Sequence, residues 1–400
     1  MKVEIVRKTL NFRFEAGTSR GTYRTRDIRL VVITDEDGRR GIGECAPLPR
    51  LSVDDVPDYE EKLAFFARRL SLAGQVDYDT MRAYPSIIFG IEGALLHLHH
   101  QDLVLFKSPF SAGRTGITIN GLVWMGDYQT MQKRLEEKIS QGFNCIKIKI
   151  GAIDFERELE LIKKIRSDFN DRSLTIRVDA NGAFAPDSVM GILDRLAPYS
   201  LHSIEQPIKA GQTDELARIV KSSPIPVALD EELIPCTGSL QKYELLNKVR
   251  PHFIVLKPSL HGGIIFTQEW IDLAGVHNTG YWLTSALESN IGLNLIAQYC
   301  GRLNPSLPQG LGTGLLYKDN IDFPLVLRGE HMYFDPAEVP KVDFDAFLSS
   351  GKKTRPKAKS KDDKKSKGAR KEKEKAKDKD RKKSKGKDKS ASKKKAGKGK

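Results

Sequence analysis

The sequence predicts an α/β protein in which a parallel β-sheet closed into a barrel follows a smaller α+β domain. Two observations support this prediction. Between about residues 116 and 314, short β-rich runs alternate with amphipathic stretches of helical length, a pattern typical of a parallel barrel. Before residue 110, the chain instead shows long β-rich runs joined at a turn and then helical stretches, which indicates a separate α+β unit.

The predicted barrel spans residues 113–318. Its strands are "GITINGLVW", "CIKIKI", "LTIRVDA", "HSIEQP", "PVALDE", "FIVLKP" and "YWLTSA". The helices between them are "DYQTMQKRLEEKISQG", "DFERELELIKKIRSDF", "PDSVMGILDRLAP", "TDELARIVKSS" and "NIGLNLIAQYCGRL". Polar residues recur one strand-plus-helix unit apart, at Lys149, Asp179, Glu205, Asp230, Lys257 and Ser285. Because the active site of such a barrel lies where its strands end, these residues are the candidates for chemistry.

The α+β domain is predicted over residues 1–112. "VEIVRKTLNFRF" and "RDIRLVVITDEDGRRGIGECAP" have the composition of strands, with "DEDG" as a turn. "DVPDYEEKLAFFARRL" and "PSIIFGIEGALLHLHH" have the pattern of helices. Residues 319–348 are less periodic, and we expect them to pack back against this domain.

The last part of the chain, residues 349–400, is predicted to be a disordered lysine-rich tail. Residues 351–400 contain 26 Lys and Arg against 7 Asp and Glu, and no Leu, Ile, Val, Met, Cys, Phe, Tyr or Trp. Such a segment cannot bury enough apolar surface to offset chain entropy. The whole chain carries a net charge of +14, so the remaining 350 residues are mildly acidic. The tail has no aromatic residue for base stacking, so only non-specific contact with nucleic acid or another polyanion is expected of it.

The cysteines and the apolar runs bear on the location of the protein. Cys45, Cys145, Cys236 and Cys300 are scattered without a CxxC motif, and "MKVEIVRKTLNF" does not resemble a signal peptide. No uninterrupted apolar run approaches the roughly twenty residues of a membrane-spanning helix. The sequence therefore predicts a reduced, cytoplasmic protein without a membrane span, and nothing in it indicates an oligomeric state.

Three carboxylates fall at the ends of successive predicted strands. Unscreened, Asp179, Glu205 and Asp230 would repel one another by up to about 4 kcal/mol per close pair at an effective dielectric constant of 20. A bound divalent cation removes this repulsion, and ligands that are all carboxylate oxygens favour Mg²⁺ or Mn²⁺ over zinc. A single such residue is more often a helix cap or a loop carboxylate, but three in phase favour a metal site.

Two lysines lie two residues apart in "CIKIKIG", so Lys147 and Lys149 share one face of the predicted strand. From these seven residues alone, an edge strand with solvated lysines is the simpler interpretation. With Lys257 on the other side of the barrel mouth, the three lysines instead suggest bases. Burial and neighbouring ammonium groups are expected to lower their pKa, which suits abstraction of a proton α to a carboxylate.

Five motifs that contain these residues resemble the muconate-lactonising branch of the enolase superfamily: "KIK", "RVDANGAF", "IEQP", "ALDEE" and "VLKPSLHGG". The resemblance covers residues 1–348 and implies a modified TIM-type (β/α)7β barrel with an N-terminal α+β capping domain. Within the branch, "TSRGTYRTRD", "GIGECAPLPRLS", "LTSALESNIGLN" and "GLGTG" are similar to the dehydratases of menaquinone synthesis.

The resemblance also implies a role for each residue. Asp179, Glu205 and Asp230 would bind Mg²⁺, with Mn²⁺ as a substitute. Lys149 would remove the α-proton and return it to the leaving hydroxyl, Lys257 would stabilise the opposite face, and Lys147 would tune Lys149. The residues implied to contact a small carboxylate substrate are Ser19, Arg20, Leu48, Pro49, Arg177, Asn181, Ser285, Gly312 and Thr313.

The leading hypothesis is a lyase that dehydrates 2-succinyl-6-hydroxy-2,4-cyclohexadiene-1-carboxylate to 2-succinylbenzoate. A dipeptide epimerase, an N-acylamino-acid racemase or a cycloisomerase would use the same site. Dipeptide epimerases usually carry an Asp-x-Asp where this chain has "GLGTG", which favours a substrate without an ammonium group. A third hypothesis is a polyanion-binding protein that acts through its tail. "HLHH", at residues 97–100, is expected to be packed or solvated histidines and not a metal cluster.

Overall fold

A computed structural model describes residues 1–18, 21–124, 126–152, 154–338, 342–350 and 352–353. The described residues all belong to one compact unit. Ser19 and Arg20, two of the residues implied to contact substrate, lie outside the described residues. Most of the predicted disordered tail, from residue 354 onward, also lies outside them.

The secondary structure consists of fourteen strands and twelve α-helices among the described residues. The strands are β1 (Lys2–Thr18), β2 (Gly21–Thr34), β3 (Arg40–Cys45), β4 (Ile117–Thr118), β5 (Gly121–Val123), β6 (Cys145–Lys149), β7 (Thr175–Asp179), β8 (Ser203–Glu205), β9 (Val227–Leu229), β10 (Phe253–Leu256), β11 (Gly280–Leu283), β12 (Leu325–Arg328), β13 (His331–Phe334) and β14 (Lys352–Lys353). The helices are α1 (Tyr59–Ala73), α2 (Tyr78–Met81), α3 (Pro85–His100), α4 (Tyr128–Ser140), α5 (Phe155–Asp168), α6 (Val189–Leu196), α7 (Thr213–Ser222), α8 (Ser239–Val249), α9 (Pro258–His261), α10 (Gly263–Val276), α11 (Asn290–Leu303) and α12 (Phe344–Ser350).

The N-terminal sheet is antiparallel, in the order β14–β1–β2–β3, and helix α3 packs against β3. The glycines of "RGIGEC" allow this packing. A Cβ atom on Gly41 would lie 2.0 Å from the Ala94 carbonyl oxygen, and one on Gly43 would lie 1.9 Å from the Gly90 carbonyl oxygen. Because no side chain fits at such distances, the motif fixes how closely α3 approaches the sheet.

The central sheet contains seven parallel strands in the order β11–β10–β9–β8–β7–β6–β5. A short segment closes it, because Gly310 bridges to Thr284 beyond β11 and Gln309 bridges to Ile119 beside β5. The predicted parallel barrel is confirmed. Its centre is filled by Ala228, Val255 and Trp282, while the larger core lies between the strands and the surrounding helices.

The lysine-bearing strand β6 lies inside this sheet, between β5 and β7. Side chains of Lys147 and Lys149 are only 12% and 13% exposed, whereas Ile146, Ile148 and Ile150 pack into the outer core. The edge-strand interpretation of "CIKIKIG" is therefore wrong. Both lysines point into the barrel.

Residues 319–348 divide between two parts of the molecule. β12 and β13 form a sheet with β4, which belongs to the predicted barrel region. Helix α12 instead contacts the N-terminal region, where Asp345 pairs with Arg40 at 2.7 Å and Phe344 lies 5.7 Å from the His97 ring. The expectation that the whole segment packs on the capping domain therefore fails only for the β12–β13 hairpin, which pairs with the edge of β4. Before the hairpin, Asp319 accepts from the Asn11 N–H on β1 at 2.7 Å, and Ile321 packs among residues of β1 and β2.

The start of the predicted disordered tail also has structure. α12 extends to Ser350, and β14 pairs antiparallel with β1, with Lys353 opposite Val6 and Lys352 opposite Arg7. Backbone hydrogen bonding to the open edge of β1 does not require apolar side chains, so composition alone could not indicate this strand. No helix among the described residues is long and apolar enough to cross a membrane.

Candidate active site

The three predicted metal ligands lie side by side where strands of the barrel end. Asp179 pairs in register with Lys149 on one side and with Glu205 on the other, and Asp230 directly follows β9. Their exposures are 0%, 2% and 1%, respectively. Parallel pairing thus brings together the carboxylates that sequence spacing had placed at equivalent strand ends.

The three lysines contact these carboxylates. Lys147 Nζ lies 2.6 Å from Glu205 Oε1 and 2.7 Å from Asp179 Oδ2. On the same strand, Lys149 Nζ lies 2.5 Å from Asp179 Oδ2. Lys257, which follows β10, donates to Asp230 Oδ1 at 2.6 Å. The carboxylates therefore lie between lysines that come from two sides of the barrel.

For Lys147 and Lys257, the expected lowering of the pKa is not found. Burial lowers the pKa of Lys147, but the negative charges of Asp179 and Glu205 outweigh this effect and raise the pKa above its usual value. For Lys257, burial acts in the same direction, and Asp230 and Glu231 reverse it, so that the pKa is also raised. The sequence-based prediction assumed that the ammonium groups lie next to one another, which would lower their pKa. In the structure each of these two ammonium groups instead contacts a carboxylate, which raises the pKa.

The pKa values of the two neighbouring carboxyl groups, Asp179 and Glu205, shift in opposite directions. Burial opposes ionisation of Asp179, but Lys147 and Lys149 stabilise its charge and lower its pKa below the usual range. Glu205 has a pKa well above its usual value because it is buried and lies beside the charged Asp179. The carboxyl groups of this cluster therefore cannot all ionise unless positive charge lies beside them.

The donor chemistry of this cluster suits a hard divalent cation, since the converging atoms are carboxylate oxygens. Within the described ranges, no three His, Cys, Asp or Glu side chains already have the spacing of a metal site. The lysines hold the carboxylate oxygens instead, through the contacts given above. Residue types and charge therefore fit the predicted cation, and its binding requires the lysines to release those oxygens.

Asn181 lies in the same cluster. Its Oδ1 accepts from Lys149 Nζ at 2.6 Å, and its Nδ2 donates to Glu231 Oε1 at 2.9 Å. Asn181 has a φ of +45°, a left-handed conformation that asparagine tolerates better than most residues. Glu231 is 6% exposed and was not among the predicted site residues. The acidic run "ALDEE" could have indicated Glu231, because this residue directly follows Asp230 at the same strand end.

Arg177 flanks Asp179 inside the barrel. It precedes Asp179 by two residues on β7, is 1% exposed, and lies opposite Lys147 in the sheet. Its Nη1 donates to the Pro308 carbonyl at 2.8 Å, and its guanidinium lies 4.1 Å from the centre of the Trp282 ring. These contacts place Arg177 inside the barrel, one inward-facing position before Asp179 on β7.

The remaining candidate substrate residues lie on loops. Ser285 and Thr313 are 7% and 8% exposed, and their hydroxyl groups hydrogen-bond to each other. Nearby Gly312 is exposed. In the N-terminal region, Leu48 is 5% exposed within an apolar cluster, whereas Pro49 is exposed and its carbonyl accepts from Tyr23 at 2.9 Å.

The histidine run "HLHH" ends helix α3. His97 is buried, its Nδ1 accepts from the Ile42 backbone N–H at 3.3 Å, and burial lowers its pKa to about 4. His99 and His100 contact each other edge to face, with ring centres 4.9 Å apart. His97 is therefore a packed core residue.

Comparison with known proteins defines the class to which this chain belongs. The family model "Enolase C-terminal domain-like" matches residues 130–337, and "MenC, N-terminal domain" matches residues 16–98. The fold is thus that of the enolase superfamily, whose members use Mg²⁺. Within it, the chain belongs to the o-succinylbenzoate synthase family.

The relatives support this assignment. The o-succinylbenzoate synthase of Desulfotalea psychrophila is 40% identical over 363 residues, which cover 82% of this chain and 98% of the relative. The crystal structure of MenC from the same organism has a TM-score of 0.73 and 37% identity, and the match covers 83% of this chain and 99% of that one. The L-Ala-D/L-Glu epimerase of Bacillus subtilis has a TM-score of 0.71 at 19% identity, covering 84% and 97%, and shows the fold alone.

Proposed function

We propose that this chain dehydrates 2-succinyl-6-hydroxy-2,4-cyclohexadiene-1-carboxylate to 2-succinylbenzoate. The observation that carries the proposal is the arrangement of Lys149 and Lys257 on two sides of a buried carboxylate cluster. Membership of the o-succinylbenzoate synthase family supports the choice of substrate. The chemistry to be explained is removal of a weakly acidic proton α to a carboxylate, followed by loss of water.

The proposed cation site consists of Asp179, Glu205 and Asp230. Bound there, Mg²⁺ would supply positive charge for the substrate carboxylate and offset the charge of its three ligands. Mn²⁺ has the same ligand preferences and is expected to substitute. The buried position of the three carboxylates, at 2% exposure or less, excludes bulk water and strengthens this electrostatic effect.

The lysines carry the proton transfer in this proposal. Lys149 Nζ takes the α-proton, and the electron pair of the C–H bond moves into the substrate carboxylate as an enediolate. The electrons then return to form the new ring double bond, the C–O bond breaks, and Lys149 gives its proton to the departing hydroxyl to form water. Lys257 contributes positive charge on the opposite face, and Lys147 tunes Lys149 through their shared carboxylate, Asp179.

Residues at the barrel mouth are proposed to bind the two carboxylates of the substrate. Ser285 and Thr313 supply hydroxyl donors, and Gly312 leaves space beside them, since a Cβ atom there would meet only Ile119 within 4 Å, at 3.5 Å. Ser19, Arg20, Leu48 and Pro49 are proposed to cover the site from the capping loops. Asn181, which accepts from Lys149 Nζ, and Arg177, whose Nε and Nη2 have no hydrogen-bond partner among the described residues, flank Asp179 and are also proposed to contact substrate.

An assay of the purified full chain tests the proposal. With the cyclohexadiene substrate and Mg²⁺, the ultraviolet absorbance of the diene should disappear as the aromatic product forms, and excess chelator should stop the reaction. An unchanged diene in the presence of Mg²⁺, or full turnover in excess chelator, would contradict it.

An epimerase or racemase remains the second candidate, because lysines on both faces serve either reaction. The segment from residue 309 to 317 contains no acidic residue to hold a substrate ammonium group, which favours dehydration over dipeptide epimerisation. Cytoplasmic location is proposed from the four cysteines, which are all free thiols, as is usual in a reducing compartment. Polyanion binding by the basic tail is proposed only as an added, salt-sensitive property.

A further inference from the structure

Arg26 on β2 contacts two separate loops of the site. Its guanidinium Nη1 donates to the Pro47 carbonyl at 2.6 Å, Nη2 donates to the Ala46 carbonyl at 2.5 Å, and Nε donates to the Leu287 carbonyl at 3.3 Å. The side chain is 2% exposed. A buried guanidinium is costly unless its donors are paired, so three carbonyl partners identify a specific contact and not an incidental one.

Each of these loops carries residues proposed to contact substrate. The cap loop, residues 46–49, follows β3 and contains Leu48 and Pro49. The barrel loop, residues 284–289, follows β11 and contains Ser285. The two loops are distant in sequence, so the distance between them in space depends on contacts between the N-terminal region and the barrel.

The barrel loop has a strained conformation at the point where Arg26 contacts it. Leu287 has a φ of +65°, a conformation that costs energy for a residue with a Cβ atom. Its carbonyl accepts a second hydrogen bond, from the Tyr317 hydroxyl at 2.7 Å. Strained residues of this kind persist where surrounding contacts fix them and are concentrated at functional sites.

Other contacts hold each loop to its own side. Glu288 in the barrel loop accepts from the Ser259 hydroxyl and from the Ala286 N–H at 2.7 Å. In the cap loop, the Leu48 N–H donates to Ser52 Oγ at 2.7 Å. These contacts keep each loop folded, whereas the Arg26 guanidinium spans from one loop to the other.

We infer that Arg26 is a positioning residue that sets the separation of the cap loop and the barrel loop, and thereby the affinity for substrate. The inference rests on the proposed function and deepens it. Loss of Arg26 should weaken binding of the substrate and of the transition state alike, which raises KM. The strand-end lysines and carboxylates do not contact Arg26, so kcat should change little.

The test compares Arg26→Met and Arg26→Lys with Arg24→Met. Arg24 lies on the same strand and is a matched control, since its side chain is exposed and forms an ion pair with Glu15 at the protein surface. Two readouts are taken: amide hydrogen exchange of peptides that cover the two loops, in the protein without substrate, and KM and kcat for the dehydration.

For Arg26→Met we expect both loops to exchange at least about 10-fold faster, with KM raised about 10-fold and kcat within about 3-fold of wild type, as for lost hydrogen bonds that act in binding. Arg26→Lys keeps the charge with fewer directed donors, so it should be intermediate. Arg24→Met should match wild type in both readouts.

A fall in melting temperature with unchanged KM and unchanged loop exchange would overturn the inference and leave Arg26 a structural residue. If Arg26→Met does not fold, Arg26→Lys decides by the same criteria. The hydrogen-exchange result does not depend on the reaction. A wild-type protein that does not dehydrate the substrate would therefore refute the proposed function, while loop exchange would still show whether Arg26 joins the loops.

Discussion

The strand-end groups and the loop groups of the site are held in different ways. Lys149, Asp179 and Glu205 are neighbours through consecutive parallel strand pairs, so each position is fixed by the backbone ladder of the barrel. Ser285, by contrast, bonds to Thr313 28 residues further along the chain, and the barrel loop depends on a contact with Arg26 that spans 261 residues.

This difference separates two kinds of contribution to catalysis. A strand-end side chain keeps its place when a neighbour changes, so its substitution should remove chemistry and leave substrate affinity largely intact. A loop side chain depends on how the two regions dock, and its substitution should act mainly on KM. The predictions below test this division, from the largest expected effect to the smallest.

The largest effect is expected from the proposed cation ligands. Asp179→Asn, Glu205→Gln or Asp230→Asn should each lower kcat/KM by at least about 10³-fold, since the lost charge stabilisation amounts to several kcal/mol at 1.36 kcal/mol per tenfold. Titration with Mn²⁺, followed by electron paramagnetic resonance, should show weaker metal binding. Asp194→Asn, on the exposed side of α6, is the control, and normal metal affinity in all three variants would contradict the assignment.

Lys257→Ala should lower turnover by about 10²-fold, at the lower end for positioned catalytic groups, with metal binding retained. Exchange of the α-proton of an N-acylamino acid in D₂O separates the two faces of the site. The variant should still exchange the enantiomer that faces Lys149 and lose exchange of the other. Lys248→Ala, half-exposed on α8, is the control, and wild-type exchange of both enantiomers in Lys257→Ala would refute the two-faced site.

The loop hydroxyls should give a smaller effect of a different kind. Thr313→Val and Ser285→Ala each remove one member of a buried hydroxyl pair, and a neutral hydrogen bond contributes about 0.5–1.5 kcal/mol, or about 2- to 12-fold. We expect the change in KM, measured by initial rates with the cyclohexadiene substrate. Ser140→Ala, exposed on α4, should have no effect. If kcat fell while KM stayed constant, the division between strand and loop groups would be wrong.

The contact between the N-terminal region and the barrel should depend on pH through Glu44. Its carboxylate, on β3, accepts from the N–H groups of Ser289 and Gly292 at 3.0 Å each, at the start of α11. Burial raises its pKa from 4.5 to about 7, against the effect of the Ser289 hydrogen bonds. The folded state therefore holds this proton to higher pH than the unfolded state, and this contribution to stability falls as pH rises between those two values.

Urea unfolding of wild type and Glu44→Gln across pH 4.5 to 7 measures that contribution. The wild-type free energy of unfolding should fall with pH relative to that of the variant, which cannot titrate at this position. Glu44→Gln also replaces one of the two oxygens that accept from three donors, the Ser289 N–H, the Ser289 hydroxyl and the Gly292 N–H, with an amide NH₂ group, so a pH-independent loss of stability is expected in addition. Parallel pH curves for the two proteins would show that Glu44 does not titrate in this range.

The smallest effect is expected from the tail. Removal of residues 354–400 should leave turnover and melting temperature nearly unchanged, because the charges of this segment are screened beyond about 8 Å at physiological salt. Truncation after Ser350 also removes β14, which pairs with β1, and should cost a small amount of stability by comparison. A large loss of turnover in the longer truncated protein would show that the tail contributes to the site.

Much of the barrel could be predicted because its signals are local. The strand runs and five of the helices recur at a regular interval, and the residues at the strand ends follow from that interval alone. Helix α10 was not predicted, because apolar residues such as Ile264, Phe266 and Trp270 occur around its circumference and obscure the amphipathic period. β14 was missed because only its partner strand defines it.

The site was predictable to the same extent. The lysines and carboxylates could be located because each lies at one strand end, and Asn181 followed from its neighbour Asp179. The direction of the pKa shifts of Lys147 and Lys257 could not be predicted, since it depends on which carboxylate each ammonium group contacts. Arg26, Glu44 and Glu288 were also missed, because their roles arise from tertiary contacts between segments that no local pattern connects.

The central claim is that Lys149 removes the α-proton in a site built from strand ends. Its most direct test is the rate of diene loss for Lys149→Ala and wild type at saturating Mg²⁺, with Mn²⁺ affinity measured on the same samples. The account predicts a rate at least about 10²-fold lower, as for loss of a positioned general base, with metal affinity retained. A Lys149→Ala protein that dehydrates the substrate at the wild-type rate would contradict it.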